Sequence, residues 1–179
     1  AGSDDHRVYL RLHVDVGSLV ESDAEQGMAH FIEHMAFNGT RNFKANTLVE
    51  TFARKGIGFG HDVNAHTSTD ETVFELDLPD AEPERLKQAL TWFRDIADGL
   101  LFEEKEVRAE KGIIDAEERD RAGVGLRVYR RVEEELAAGT AWPKRWPIGV
   151  KAMHDKFTPA ACKAFYRKWY RPEQMTCIA

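Results

Sequence analysis

Cysteine is nearly absent: the 179 residues hold two, Cys162 and Cys177, and no Cys-x-x-Cys pair. That excludes a disulfide framework and a cysteine-built metal site, and both thiols are expected to be small core residues. No apolar run approaches the roughly 20 residues that a membrane-spanning helix needs, and no charged segment followed by an apolar one marks a signal peptide. Positive charge is in deficit, with 25 Lys and Arg against 31 Asp and Glu, for a net charge of -6. Nucleic acid is therefore not the expected partner. Repeats, low-complexity tracts and Pro- or Gly-rich linkers are missing too, so nothing divides the chain. What remains, 42% apolar and 31% charged residues, is the composition of a globular domain. The chain opens at Ala1-Gly2-Ser3 just before its first strand and stops in an apolar run, Met175-Thr176-Cys177-Ile178-Ala179. Residues 1–179 are accordingly expected to be a single domain from a longer, multi-domain protein.

Periodicity sets the elements. Residues 8–16 alternate, with Val8, Leu10, Leu12, Val14 and Val16 on one face and Tyr9, Arg11, His13 and Asp15 on the other, which predicts a half-buried strand with His13 on its solvent side. A polar connection over 17–26 leads into a helix that begins near Gly27. Asn46 is a plausible N-cap for a helix over 47–55, with Leu48, Val49 and Phe52 facing inward and Gly56 ending it. Residues 71–78 alternate again. Pro83 suits the first turn of a helix to about Asp98, with Leu86, Leu90, Phe93, Ile96 and Ala97 as its buried stripe. A long acidic helix is expected over 103–121, a break at Gly123-Val124-Gly125, and a further helix over 126–138. Thr158 caps a last helix with Pro159 at its first position, and the final residues begin a strand. Helices and strands mix without a regular β-α-β beat, so the expected fold class is α+β, a two-layer sandwich.

The stretch that carries chemistry is Gly27-Met28-Ala29-His30-Phe31-Ile32-Glu33-His34-Met35-Ala36-Phe37-Asn38-Gly39. On a helix, His30, Glu33, His34 and Phe37 share one side, while Met28, Phe31, Ile32, Met35 and Ala36 fall largely on the other. Two imidazoles one turn apart with a carboxylate between them are what one helix can offer a zinc ion. Gly39 is placed to end the helix in a left-handed C-cap. The order His-x-x-Glu-His is the inverzincin signature. In it the histidines hold the metal and the glutamate polarises a water as general base. Catalytic zinc takes three protein ligands, so a third is needed. Glu103, Glu106, Glu110 and Glu117 share one face of the acidic helix, flanked by Ile113 and Ile114, which should anchor it to the core. Spacing alone does not choose between Glu110 and Glu117.

Several blocks together resemble the N-terminal domain of the pitrilysin/insulinase family of zinc metallopeptidases. They are His30 to Thr40; Phe59-Gly60-His61-Asp62-Val63-Asn64-Ala65-His66-Thr67-Ser68; Asp70-Glu71-Thr72-Val73; Glu110-Lys111-Gly112-Ile113-Ile114 with Glu117; Pro147-Ile148-Gly149; and Phe165-Tyr166 with Trp169-Tyr170-Arg171-Pro172. The likeness covers essentially the whole chain and is nearest to large bacterial members. It implies the two-layer sandwich of the pitrilysin and mitochondrial-processing-peptidase kind. It also implies a zinc-dependent endopeptidase of peptides or unfolded polypeptides, with Zn²⁺ as cofactor. By position, the resemblance makes His30, His34 and Glu117 the metal ligands, Glu33 the catalytic base and Glu110 an outer carboxylate that supports the site. Asn64 and Ala65 match an edge-strand segment that holds the substrate backbone, and Phe37 is a further substrate-binding candidate. The family pattern departs at His66, where an aromatic is common, and after Glu117-Glu118, where a tryptophan is common. Family enzymes close a chamber between two homologous halves, so the expected partner is a homologous C-terminal half or partner subunit, and the 179 residues alone are expected to be nearly inactive. The periplasm is the compartment that bacterial relatives suggest. The alternative is a non-catalytic member that binds peptides or scaffolds an assembly, a class that usually loses one of the motif residues.

Overall fold

The computed structural model describes residues 6–45 and 47–179. Its sheet has four antiparallel strands in the order β2-β3-β1-β4, where β1 is Val8–Val14, β2 Val63–Thr67, β3 Thr72–Leu78 and β4 Met175–Ile178. Alternation decides which face is covered. Leu10, Leu12 and Val14 of β1 and Phe74, Leu76 and Leu78 of β3 are buried. The opposite face carries charge, with Arg11 bonded to Asp77 at 2.6 Å and 3.4 Å from Glu75 across the ladder. His13 lies on that polar face, 2.5 Å from Glu71 Oε2.

Helices form the second layer. The first, α1, spans Met28–Met35 and is followed by α2 (Thr47–Ala53), α3 (Pro83–Asp98), α4 (Glu104–Arg121), α5 (Val124–Leu136), α6 (Lys151–His154) and α7 (Pro159–Trp169). Among them α1 is central, in contact with β2 and β3 of the sheet and with α4 and α7. Its Ala29, Phe31, Ile32 and Met35 are fully buried, as is Trp92 of α3, whose indole N–H donates to the Ala36 carbonyl at 3.2 Å. The result is the two-layer α+β sandwich.

Several expectations shift. The C-cap of α1 is Ala36, and Gly39 three residues later takes φ +126 in the turn into residues 40–43. That turn is pinned by the buried Asp95 of α3, which accepts from Thr40 Oγ1 at 2.6 Å and from the Asn42 backbone N–H and side-chain amide at 2.8 Å each. The buried stripe of α3 is Ala89, Trp92, Phe93 and Ile96, whereas Leu90 is exposed, because the sheet covers α3 one residue further round. Ile114 anchors α4 to the core, but Ile113 is 53% exposed. Cys162 is buried and Cys177 exposed, since β4 is an edge strand. Asn46 lies outside the described residues. No helix among them is long and apolar enough to cross a membrane.

Candidate metal centre

A tight entry aims α1. Gly27 takes φ +93 at its N-cap, where a Cβ would come within 2.8 Å of His154 Nε2, so a side chain is excluded there. No side chain of the cap residue satisfies the first turn. Instead the buried carboxylate of Glu21 reaches across six and eight residues to accept from the Gly27 N–H at 2.9 Å and the Ala29 N–H at 2.8 Å. These two bonds satisfy backbone N–H groups of the first turn that have no partner within the helix.

Held so, α1 presents His30, Glu33 and His34 to a cavity of about 510 Å³ whose walls also include Phe37, Asn64, Ala65, Glu110 and Glu117. Glu117 comes from α4. The Nε2 atoms of His30 and His34 lie 3.2 Å apart, and Glu117 Oε2 lies 3.6 Å and 3.4 Å from them. A tetrahedron with metal–ligand distances of about 2.0–2.1 Å has edges of about 3.3–3.4 Å. Glu117 Oε2 is buried without a hydrogen-bond partner, while Oε1 is held by Arg121 at 2.6 Å. A buried carboxylate oxygen left unbonded beside two imidazole nitrogens is what a divalent cation would satisfy. The three residues therefore fit zinc. Among the described residues they form the one group with metal-ligand spacing.

The other acids have separate places. Glu110 is seven residues before Glu117 on α4, and its Oε1 lies 2.7 Å from His34 Nδ1 while Oε2 accepts from the Asn38 amide. It thus faces the ring nitrogen turned away from Glu117. Glu33 is buried, and its Oε2 accepts from Thr67 Oγ1 at 2.6 Å. Asn64 and Ala65 lie on the edge strand β2 at the cavity wall, and Phe37 packs at 5.4 Å from Phe59 and 5.3 Å from Trp92.

Electrostatics separate the two histidines. Burial first, then the neighbouring His34, pulls the His30 pKa down to about 3. Burial acts the same way on His34, but the hydrogen bond to Glu110 and the approach of Glu117 outweigh it and push its pKa up to about 10. The ring of His34 in turn holds Glu117 below the usual carboxylate range, helped by His30 and Arg121. Burial pushes Glu33 upward, and the Thr67 hydroxyl opposes it. The two shifts run in opposite directions, so His34 is the ring that favours an added proton and His30 the one that resists it.

Residues with no assigned role in the sequence reading fall into two kinds. Arg121 lies four residues after Glu117, an i,i+4 pairing visible in the sequence. Thr67 and Glu21 left no such signal, because their partners are set by how β2 and the 17–26 connection meet α1.

The insulinase (peptidase family M16) profile matches residues 2–139. Over 172 residues the chain is 41% identical to the probable zinc protease PqqL of Escherichia coli, covering 96% of this chain and 18% of that protein. Among solved structures it superposes on the first half of the periplasmic protease PqqL from Escherichia coli with a TM-score of 0.93 at 41% identity, covering 97% of this chain and 37% of that one. It superposes on pitrilysin with a TM-score of 0.80 at 26% identity, covering 97% and 18%. The chain thus spans about a fifth of the length of full-length PqqL and of pitrilysin.

Proposed function

From the premise that the chain belongs to the insulinase family, peptidase family M16, we propose that it is the zinc-site domain of a longer metalloendopeptidase acting on peptides or unfolded polypeptides. The observation that carries this reading is the convergence of His30 Nε2, His34 Nε2 and Glu117 Oε2 beside the buried Glu33 in one cavity. His30, His34 and Glu117 would hold Zn²⁺. When bound, zinc supplies a Lewis acid that acidifies a water and polarises the scissile carbonyl. Glu33 takes the proton of the attacking water and passes it to the leaving amine. Glu110 fixes the His34 ring through Nδ1, which directs Nε2 at the metal position. Asn64 and Ala65 sit on the edge strand of the sheet, where an extended peptide can add as a further strand, the Ala65 N–H exchanging its 3.0 Å bond to Asn64 Oδ1 for one to the peptide. Phe37, with Phe59, offers apolar surface to a substrate side chain.

A homologous second half would close the site, and the 179 residues alone would cleave little. The periplasmic setting of the Escherichia coli relative supports the same compartment here. The test is Glu33→Gln in the whole protein. Zinc should be retained and turnover lost; full activity in that variant would sink the assignment. A wild type that binds peptides and zinc without cleaving them would instead indicate a peptide-binding member of the fold.

A further inference from the structure

The Glu33 carboxylate is oriented by a residue of another layer. Thr67, the last residue of β2, approaches Glu33 Oε2 at 2.6 Å and Thr72 Oγ1 at 3.3 Å. Thr67 has one hydroxyl proton, so it can serve only one of them. The Thr72 hydroxyl is fully buried and donates to the Val16 carbonyl at 2.8 Å. The shorter contact, to the acceptor able to carry charge, takes the Thr67 proton. Glu33 Oε1 makes no hydrogen bond among the described residues, and the side chain lines the cavity. The carboxylate is thus tethered through one oxygen and free through the other.

We propose that Thr67 is a positioning residue for the peptidase reaction: its hydroxyl fixes Glu33 from the edge strand, so that Oε1 faces the attacking water. This rests on the peptidase reading above. Asn64 and Ala65 belong to the same strand, three and two residues before Thr67. The strand that would receive the substrate backbone is therefore the one that holds the base, and substrate and base share one rigid frame. A carboxylate left to rotate would lose alignment at the reaction while the ground-state contacts of the peptide stayed in place.

The experiment compares wild type, Thr67→Val, Thr67→Ser and Glu33→Gln in the whole protein, measuring kcat and KM on an unstructured peptide, zinc content and melting temperature. Valine keeps the shape and suits a strand, so the fold should survive. Thr67→Val should lower kcat about 10–100-fold, the usual effect of losing such a supporting partner. Its KM should stay within about twofold, zinc should remain stoichiometric, and Thr67→Ser should restore most of kcat. Thr67→Ala serves the same comparison should the valine variant fold poorly. Near-wild-type kcat in Thr67→Val, a rise in KM alone, or failure of serine to rescue would overturn the proposal. Activity retained in Glu33→Gln, or absent from the wild type, would overturn the peptidase reading and this inference with it.

Discussion

His34 Nδ1 and Glu110 Oε1 lie 2.7 Å apart, a hydrogen bond that joins α1 to α4 on the side of the ring turned away from His30 and Glu117. It fixes the ring so that Nε2 points at His30 and Glu117. Two acids seven residues apart on α4 thus serve opposite edges of one imidazole. Their substitutions should differ in kind. In the 179-residue chain, Glu117→Ala should abolish stoichiometric zinc binding, while Glu110→Ala should weaken it by about 10–100-fold and leave the stoichiometry intact. Competition against a chelator measures both. Loss of zinc in the Glu110 variant alone would exchange their roles.

Zinc binding should release about one proton at neutral pH. The metal needs Nε2 of both histidines deprotonated. His30, at about 3, has already lost its proton at pH 7, whereas His34, at about 10, has not. Each zinc therefore displaces the His34 proton, and log K should rise by about one per pH unit from pH 5 to about 9, flattening above the His34 value. Calorimetry in two buffers of different ionisation enthalpy counts the protons directly. A pH-independent affinity across that range would mean that His34 is neutral in the metal-free chain. Glu110→Gln should reduce the proton release by removing the charge that holds His34 protonated.

The turn after α1 depends on one buried acid. Asp95 accepts three hydrogen bonds from residues 40 and 42, and none of these contacts touches the cavity. Asp95→Ala would leave the buried Thr40 hydroxyl and the two Asn42 N–H donors without their acceptor, a loss of up to about 3 kcal/mol. For a chain of this length that is a fall of roughly 6–12 °C in melting temperature. Differential scanning calorimetry reads it, and an unchanged melting temperature would show that the turn does not need its anchor.

How far the sequence reaches is decided by the distance over which each residue acts. His30, Glu33 and His34 share a helix face by spacing alone, and Pro83–Asp98 was bounded by its proline and glycine. Glu110 and Glu117 were legible as a pair on one face. Which of them approaches the His30 and His34 Nε2 atoms could not be told from spacing, because it depends on how α4 crosses α1; the family resemblance alone pointed to Glu117. Leu90 and Ile113 fitted apolar stripes, yet lie exposed, since which part of a stripe is covered is a matter of packing. Thr67 meets Glu33 across 34 residues and Asp95 meets Thr40 across 55, and no periodicity encodes such contacts. Glu21 lay in a segment that reads as a polar connection and turned out to be buried.

That buried carboxylate makes stability depend on pH. Burial outweighs the pull of the Ala29 and Gly27 N–H groups and raises the Glu21 pKa from 4.5 to about 8. The folded chain therefore binds this proton more tightly than the unfolded chain. Between pH 4.5 and 8 the unfolded state has released it and the folded state has kept it, so stability falls as pH rises. The contribution is fully present below 4.5 and is lost on passing 8, with a slope of about 1.4 kcal/mol per pH unit between them. Glu21→Gln removes the titration and keeps an acceptor for one of the two amides. Other groups titrate in the same range, so the informative quantity is the difference between wild type and variant in urea unfolding from pH 5 to 8. The wild type should lose stability relative to the variant by up to about 4 kcal/mol over those three units. Parallel curves would mean that Glu21 is ionised throughout, held by the first turn of α1, and that its charge is fully compensated by the two N–H groups it caps.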